Sequence, residues 1–426
     1  MKKILKKLVI GLLKAMAKHR LHKYKGKIIA ITGSVGKSSA KDAIYTILNT
    51  RFRVKKTKKN MDSDFGLLLT ILDIESGFNS ATKWSWYLIK GFMHCVTRDH
   101  SDVLLFELGV DQPGEMDFLT SVLKPDIAIV TQISPVHLGP GQFKDINEIF
   151  EEKIKLVKAM DSRGIAILNI DNPYLENFRK KNRKKTTLTY GKDKEADFWV
   201  SQIKESLEGL DFILHHDNKR YDVHLNVVGE CQFYAIMPAV ICGVMMGMNV
   251  EDCVEAAKKF SLPAGRMSVI PAIHGATILD SSYNSSPDAL KEALNTLKNI
   301  EPERRKIAVL GSMNELGEES KILHKSVGEM VPECAEMLIT VGAEAVHFAS
   351  AAKEKGMGED VVFSFRNALD AAEFFKNKIK KGDLILVKGS QQNVKLENFV
   401  KELMEEPEKA RELLVRQERA VLARLE

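Results

Sequence analysis

Residues 27–48, KIIAITGSVGKSSAKDAIYTIL, read as a buried strand, a glycine loop ending in Lys-Ser-Ser, and a helix. The apolar run Ile28, Ile29, Ile31 stops at Gly33, and Ala40, Ala43, Ile44, Ile47 and Leu48 then recur at helical spacing. A strand passing through a glycine turn into a helix is the arrangement that holds a nucleoside triphosphate. Gly33 and Gly36 let backbone N–H groups converge on phosphate oxygens, and the helix start adds partial positive charge. Lys37 supplies a full charge and Ser38 a hydroxyl for Mg²⁺, with Thr32, Ser34, Val35 and Ser39 completing the loop. The loop is two residues shorter than G-x-x-x-x-G-K-[ST], so the reading rests on its context. On the motif alone, a glycine turn before an ordinary helix competes with it.

Outward from this unit, VLLFELG (103–109), DIAIVTQI (126–133) and GIAILNID (164–171) are short apolar runs separated by helical stretches. That rhythm predicts a parallel sheet with helices on its faces. From 186 to about 228 the pattern shifts to polar–apolar alternation (TTLTYG, ADFWVSQI, LDFILHH, YDVHLNVV), which predicts a small antiparallel insertion or edge. Residues 232–260 return to helical patterning, and LPAGRMS (262–268) has the Pro and Gly of a linker. A second α/β series follows in ATILDSSYN, KIAVLGSM, EMLITVG, DVVFSF and DLILVKGS, and the last twenty residues read as a charged helix. The expected class is α/β: a basic N-terminal helix (1–26), a P-loop parallel-sheet domain (27–265) and a Rossmann-like α/β domain (266–426).

A chain of 426 residues is too long for one compact core, and its 44% hydrophobic content is that of a globular protein. Nine Lys or Arg and no acid fall in the first 25 residues, so the net charge of +6 leaves the rest slightly acidic. Diffuse nucleic-acid binding is therefore not expected, and RFRVKKTKK (51–59) and RKKNRKK (179–185) read as solvated faces. Five cysteines without a C-x-x-C pair fit reduced thiols, a cytoplasmic location and no zinc site. Cys231, Cys242 and Cys253 recur every eleven residues, so they would share a face if that stretch were one helix.

Residues 1–20 do not read as a signal peptide, because Lys14 interrupts the apolar stretch and the nucleotide-site strand begins soon afterwards. Ile4, Leu5, Leu8, Val9, Leu12, Leu13 and Met16 instead form one apolar stripe. Two uses are open: peripheral contact of residues 1–25 with an anionic membrane surface, or packing on the nucleotide domain.

Further motifs carry a resemblance. Glu107 in FELG, then PGEM, His137 in PVHLG, Lys153 in EEKIKLV, Gly265-Arg266, DSSYNSSP (280–287), LGSMNELG (310–317) and LVKGS (386–390) follow the short glycine loop in order. Over about residues 27–405 the chain resembles the Mur ligases, ATP-dependent acid–amino-acid ligases of cell-wall precursor synthesis, and most closely the branch that adds D-alanyl-D-alanine. The short loop is that family's own.

The resemblance implies that ATP phosphorylates a carboxylate and that an amine then displaces phosphate. The partners would be small-molecule or peptide substrates with a free carboxylate and a free amine. It further implies two Mg²⁺ ions, one at Ser38 and Glu107, the other near His137. Lys153 would be carbamylated into a carboxylate-like metal ligand, which requires a neutral amine and hence partial burial. Arg266, Asp280 and Asn284 would reach across the interdomain cleft to phosphate and ribose. By residue type alone, His137 reads as a satisfied loop histidine, Lys153 as an amphipathic-helix lysine and Asn284 as a turn former. Lys388 reads equally as a partner for a substrate carboxylate or as a structural cation.

Departures from the family pattern are as specific. Members usually carry a UDP-sugar-gripping domain ahead of the loop, where this sequence has only the basic helix, which leaves the acceptor open. Cys231, Gln232 and Ala235 stand where G-x-H-N-x-x-N-A has His, Asn and Asn. The loop at 60–66 has Asp62 and Ser63 for an Asn pair, and Ser312 and Gln391 replace Asp and Arg. A different peptide-extending ligase, such as one building poly-γ-glutamate, or a nucleotide-binding protein without ligation, is the alternative these changes motivate.

Overall fold

The computed structural model describes residues 2–57, 63–75, 81–182, 186–390 and 394–417. Helix α1 (Lys2–Lys23) leads into β1 (Lys27–Thr32) and α2 (Lys37–Leu48). Then come β2 (Val54–Lys56), α3 (Asp64–Leu72), α4 (Ala81–Val96), β3 (Val103–Glu107), α5 (Glu115–Val122) and β4 (Ile127–Val130). The layer continues through α6 (Ile146–Lys158), β5 (Ile165–Asn169), α7 (Pro173–Lys181), β6 (Thr187–Gly191), β7 (Phe198–Glu205), β8 (Leu210–His216) and β9 (Lys219–Leu225). Helices α8 (Phe233–Met245) and α9 (Val250–Ala257) close this part.

These strands form one sheet in the order β2-β3-β1-β4-β5-β6-β7-β8-β9. β1 lies between β3 and β4, parallel to both, and Ile29, Ala30 and Ile31 are buried. Both of its faces are covered, by α2, α8 and α9 on one side and by α1, α3, α5 and α6 on the other, which is why its sequence runs apolar rather than alternating. Each isoleucine removed from water there contributes about 1.5–3 kcal/mol.

One expectation is corrected at the sheet's far edge. TTLTYG is not antiparallel: it forms β6, which extends the parallel ladder from β5, and only the β7–β8–β9 meander is antiparallel. Alternation misled here because β6, an interior strand between β5 and β7, starts with Thr187 and Leu188 only half-buried and so lacks a continuous apolar run.

The second sheet is built from β10 (Ser268–Ala272), β11 (Ala276–Ser281), β12 (Lys306–Gly311), β13 (Met337–Val341), β14 (Val362–Phe365) and β15 (Leu384–Lys388). Its order is β10-β11-β15-β12-β13-β14, parallel except for the hairpin partner β10. Helix α10 (Pro287–Asn299) follows β11 and faces the first sheet's side of the cleft.

Helix α1 packs inward, with Leu13, Met16 and Ala17 buried beside α3 and α4, while Leu8 and Leu12 face water. The side chains of Ile4 and Leu5 lie outside the described residues. The three regularly spaced cysteines do not share one helix: Cys231 sits in a short 3-10 turn, Cys242 on α8 and Cys253 on α9. Residues 410–413 form the last described helix and 414–417 are not helical, so the expected C-terminal helix is cut short; 418–426 lie outside the described residues. The basic run at 51–59 supplies edge strand β2, where Arg53 pairs with Asp102 at 2.9 Å and Lys56 with Asp42 at 2.8 Å, while Arg51 donates to Gly247 O; Lys58 and Lys59 lie outside the described residues.

Candidate active site

A cleft of about 430 Å³ opens where the C-terminal ends of β1, β3 and β4 face the loop after β11 and the start of α10. Ligands of open parallel sheets sit at this end of the strands. The glycine loop forms its floor. Gly36 caps α2 in the left-handed region at φ 85°, and no side chain caps the first turn, so the helix's leading N–H groups face the cleft. A Cβ on Gly33 (φ 150°) would overlap the Thr131 hydroxyl.

Thr131, at the end of β4, fastens the loop: its N–H donates to Thr32 O at 3.0 Å and its hydroxyl to Val35 O at 2.6 Å. Ser34 N donates to Gln132 O at 2.6 Å, its hydroxyl to Ser134 O at 3.0 Å, and Thr32 Oγ1 to Leu108 O at 3.0 Å. Lys37 Nζ donates to Gly33 O at 2.8 Å, folding over the loop it serves.

Glu107 ends β3, pairs in register with Ile31, and meets α2 from the side. Ser38 Oγ donates to Glu107 Oε1 at 2.6 Å, and Lys41 Nζ lies 2.8 Å from Oε2, both partners of that ion pair buried. Burial alone would raise the Glu107 carboxyl, but Lys41 and the Ser38 hydroxyl outweigh it and hold the group below the usual carboxylate range. Lys41 was not singled out from the sequence; its place one turn after Lys37 on the loop-facing helix is the signal that could have found it.

His137 (φ 57°) lies between two carboxylates, Nε2 3.3 Å from Asp111 Oδ1 and Nδ1 2.8 Å from Glu315 Oε2. The second is a close approach without the alignment of a hydrogen bond. It draws the Glu315 carboxyl down, the hydrogen-bonding proximity of His137 being the main cause. Glu315 belongs to the second sheet's layer, and Leu138 N donates to its carbonyl at 3.0 Å, so this contact joins the two halves. Asp111 and Glu315 are therefore cleft residues that spacing alone did not disclose.

Lys153 is fully buried on α6, its Nζ 3.4 Å from Val110 O. Burial, then repulsion from Lys37, bring its amine down to about 7. The reading from residue type alone, an amphipathic-helix lysine, gives way to the interior lysine that the resemblance implied, buried behind the cleft.

Arg266 crosses from the linker: Nη1 donates to Ser39 Oγ at 3.2 Å, and its guanidinium lies 4.6 Å over the Tyr283 ring. Asn284 lines the cleft, its carbonyl accepting from Lys388 Nζ at 2.9 Å. Lys388 also donates to Ser281 Oγ at 3.2 Å, and burial lowers its amine to about 8. Asp280 does not reach the cleft wall; it is fully buried under the 281–284 turn, accepting from Ser282 N at 3.0 Å, and burial raises its carboxyl to about 6.

At the opposite end, Cys231, Gln232 and Ala235 face Glu292 of α10 across the cleft. Burial raises the Glu292 carboxyl to about 7, although its hydrogen bond with Cys231 opposes this. The positions Asn60 to Asp62 and Gln391 lie outside the described residues. Ser312 accepts from Ala345 N at 3.2 Å and is structural.

The Ser38–Glu107 pair offers the oxygen donors a hard divalent cation takes. Among the described residues no group of three or more His, Cys, Asp or Glu is arranged to hold a metal unaided.

The family model for the Mur ligase middle domain matches residues 31–243, and that for the Mur ligase glutamate ligase domain matches residues 265–391. The UDP-N-acetylmuramoyl-tripeptide–D-alanyl-D-alanine ligase of Bacillus subtilis is 28% identical over 396 residues, spanning 93% of this chain and 79% of that one. Its namesake from Mycobacterium tuberculosis is 28% identical, over 85% of this chain and 70% of the relative. The crystal structure of MurF ligase from Thermotoga maritima in complex with ADP superposes with a TM-score of 0.78 at 23% identity, covering 94% of this chain and 84% of that chain. The short glycine loop, the paired sheets and the family models point the same way, and this chain belongs to the Mur ligase family.

Proposed function

We propose that this protein is an ATP-dependent carboxylate–amine ligase that adds D-alanyl-D-alanine to a UDP-muramoyl-tripeptide precursor. The observation carrying this reading is the cleft itself: Lys37 and Ser38 of the loop on one wall, Arg266 arriving from the other half, and Ser38 bonded to Glu107. In this reading residues 27–265 hold the nucleotide and 266–426 close over it.

The loop amides and Lys37 hold the β- and γ-phosphates, while Arg266 neutralises charge on the phosphoryl group in transfer. The acceptor carboxylate oxygen attacks the γ-phosphorus and ADP leaves. The amine then attacks the acyl carbon, and inorganic phosphate departs with the C–O electron pair. Asn284 and the buried Asp280 beneath its turn shape the ribose side. Closure of the two halves through the His137–Glu315 contact keeps water from the acyl phosphate.

Two Mg²⁺ ions fit this reading, one at Ser38 and Glu107 and one near His137, where they would neutralise the phosphates and the incoming carboxylate. Lys153 favours the carbamate proposal, since an amine titrating near 7 has the neutral form that CO₂ requires. The location that suits these substrates is the cytoplasm, and no described helix is long and apolar enough to cross a membrane.

The test is full-length protein with ATP, Mg²⁺, UDP-muramoyl tripeptide and D-Ala-D-Ala, with ADP and ligated product followed together. ADP release that needs both substrates supports the proposal. Nucleotide binding with no amine-dependent turnover overturns it and favours the non-ligating alternative that Cys231, Gln232 and Ala235 motivate. Turnover on other acids and amines only would instead redirect it to another peptide-extending ligase.

A further inference from the structure

Helix α4 is well packed on one side, and on the other it meets no partner among the described residues. Gly91 lies against Met16 of α1, and Cys95 is buried. On the outer side Trp86, Ile89, Phe92, Met93 and Val96 each leave more than half of their surface in water, Trp86 64% and Phe92 62%. Their spacing puts all five on one face: at 100° per residue they fall within a sector of about 120°. The neighbouring α1 leaves Leu8 and Leu12 equally exposed. Single exposed apolar side chains are ordinary, but a row of five including Trp and Phe on one helix marks a contact surface.

The charge around this row indicates what covers it. α1 and α4 together carry ten Lys or Arg and no Asp or Glu, of which Arg20 is buried against Asp99 and does not contribute to the outer charge. Lys83 and Lys90, one heptad apart, lie along the Trp86–Met93 edge of the apolar sector. The body of the chain is slightly acidic, so the basic charge is concentrated on this layer. An aromatic and aliphatic face bordered by lysines fits a surface that is apolar within and anionic at its rim.

We propose that the outer faces of α4 and α1 dock this protein on an anionic lipid bilayer. The Trp, Phe, Ile, Met and Val side chains enter the headgroup–acyl boundary and the lysines meet the phosphates. The inward stripe of α1 is spent on α3 and α4, so α4 carries most of the contact. The inference is independent of the ligation reading, since none of these side chains lines the cleft.

The experiment is cosedimentation of full-length protein with vesicles of phosphatidylglycerol or of phosphatidylcholine, at low and high salt, comparing wild type with Trp86→Ser/Phe92→Ser and with Lys83→Gln/Lys90→Gln. Light scattering is recorded in parallel. Wild type is expected to bind phosphatidylglycerol vesicles at low salt, and the apolar double variant about tenfold or more weakly at unchanged thermal midpoint. The lysine variant should show a smaller loss and a reduced salt dependence. Equal binding by the apolar variant, or no binding to either vesicle, overturns the proposal. A Phe92-dependent dimer without vesicle binding overturns it in favour of a second copy as the occupant.

Discussion

Lys153→Met should make the protein more stable while disabling it. The amine is fully buried, and its folded value is about 7 against an ordinary 10.5. Between those values the unfolded chain carries the proton and the folded chain does not, so wild-type stability rises with pH through this window. Below about 7 both states are protonated and the full penalty for burying the ammonium is present. That gap corresponds to about 5 kcal/mol, of which about 4 remains at pH 7. Methionine fills nearly the same volume without a charge, so the variant should gain on wild type by about that amount at pH 7 and by little at pH 10.5. Urea unfolding followed by circular dichroism, in CO₂-free buffer without nucleotide, measures the difference at each pH. Bicarbonate should then raise the wild-type midpoint and leave the variant unmoved, since only the wild type has an amine to carbamylate. A difference between the two proteins that does not change with pH would refute the reasoning.

Other outcomes follow from the same geometry. Lys41→Met strands Glu107 in the interior and should cost about 3–5 kcal/mol in urea unfolding, with Lys41→Met/Glu107→Gln recovering most of it; a loss under about 0.5 kcal/mol in the single variant contradicts the pairing. Gly33→Ala forces a Cβ against the Thr131 hydroxyl and should weaken nucleotide binding about tenfold or more in a fluorescent-nucleotide titration, an unchanged Kd counting against the loop assignment. Glu292 titrates near 7 when folded, so its contribution to stability is present at low pH and lost as pH rises through 7. Glu292→Gln should therefore raise the unfolding midpoint clearly at pH 8 and much less at pH 5, and a gain of equal size at both would show that the carboxyl's charge is not the cause.

Residues 27–48 carried the strand, loop and helix by themselves, because apolar period and glycine placement are local properties and Gly36 needs its left-handed φ wherever the helix begins. The rhythm of apolar runs likewise announced the two parallel layers, since strands covered on both faces must be apolar throughout. What local pattern does not contain is which side chains meet across the chain. Glu107 and Lys41 are 66 positions apart, His137 and Glu315 farther still, and each pair forms only when a strand end or a second sheet is laid against the first. The burial of Lys153 is of the same kind: a lysine on an amphipathic helix reads as solvated until α6 turns that face toward the interior. The apolar row on α4 was also invisible along the sequence, where it resembles an ordinary core stripe. Only the packing of Gly91 and Cys95 inward decides that Trp86 and Phe92 are left facing water.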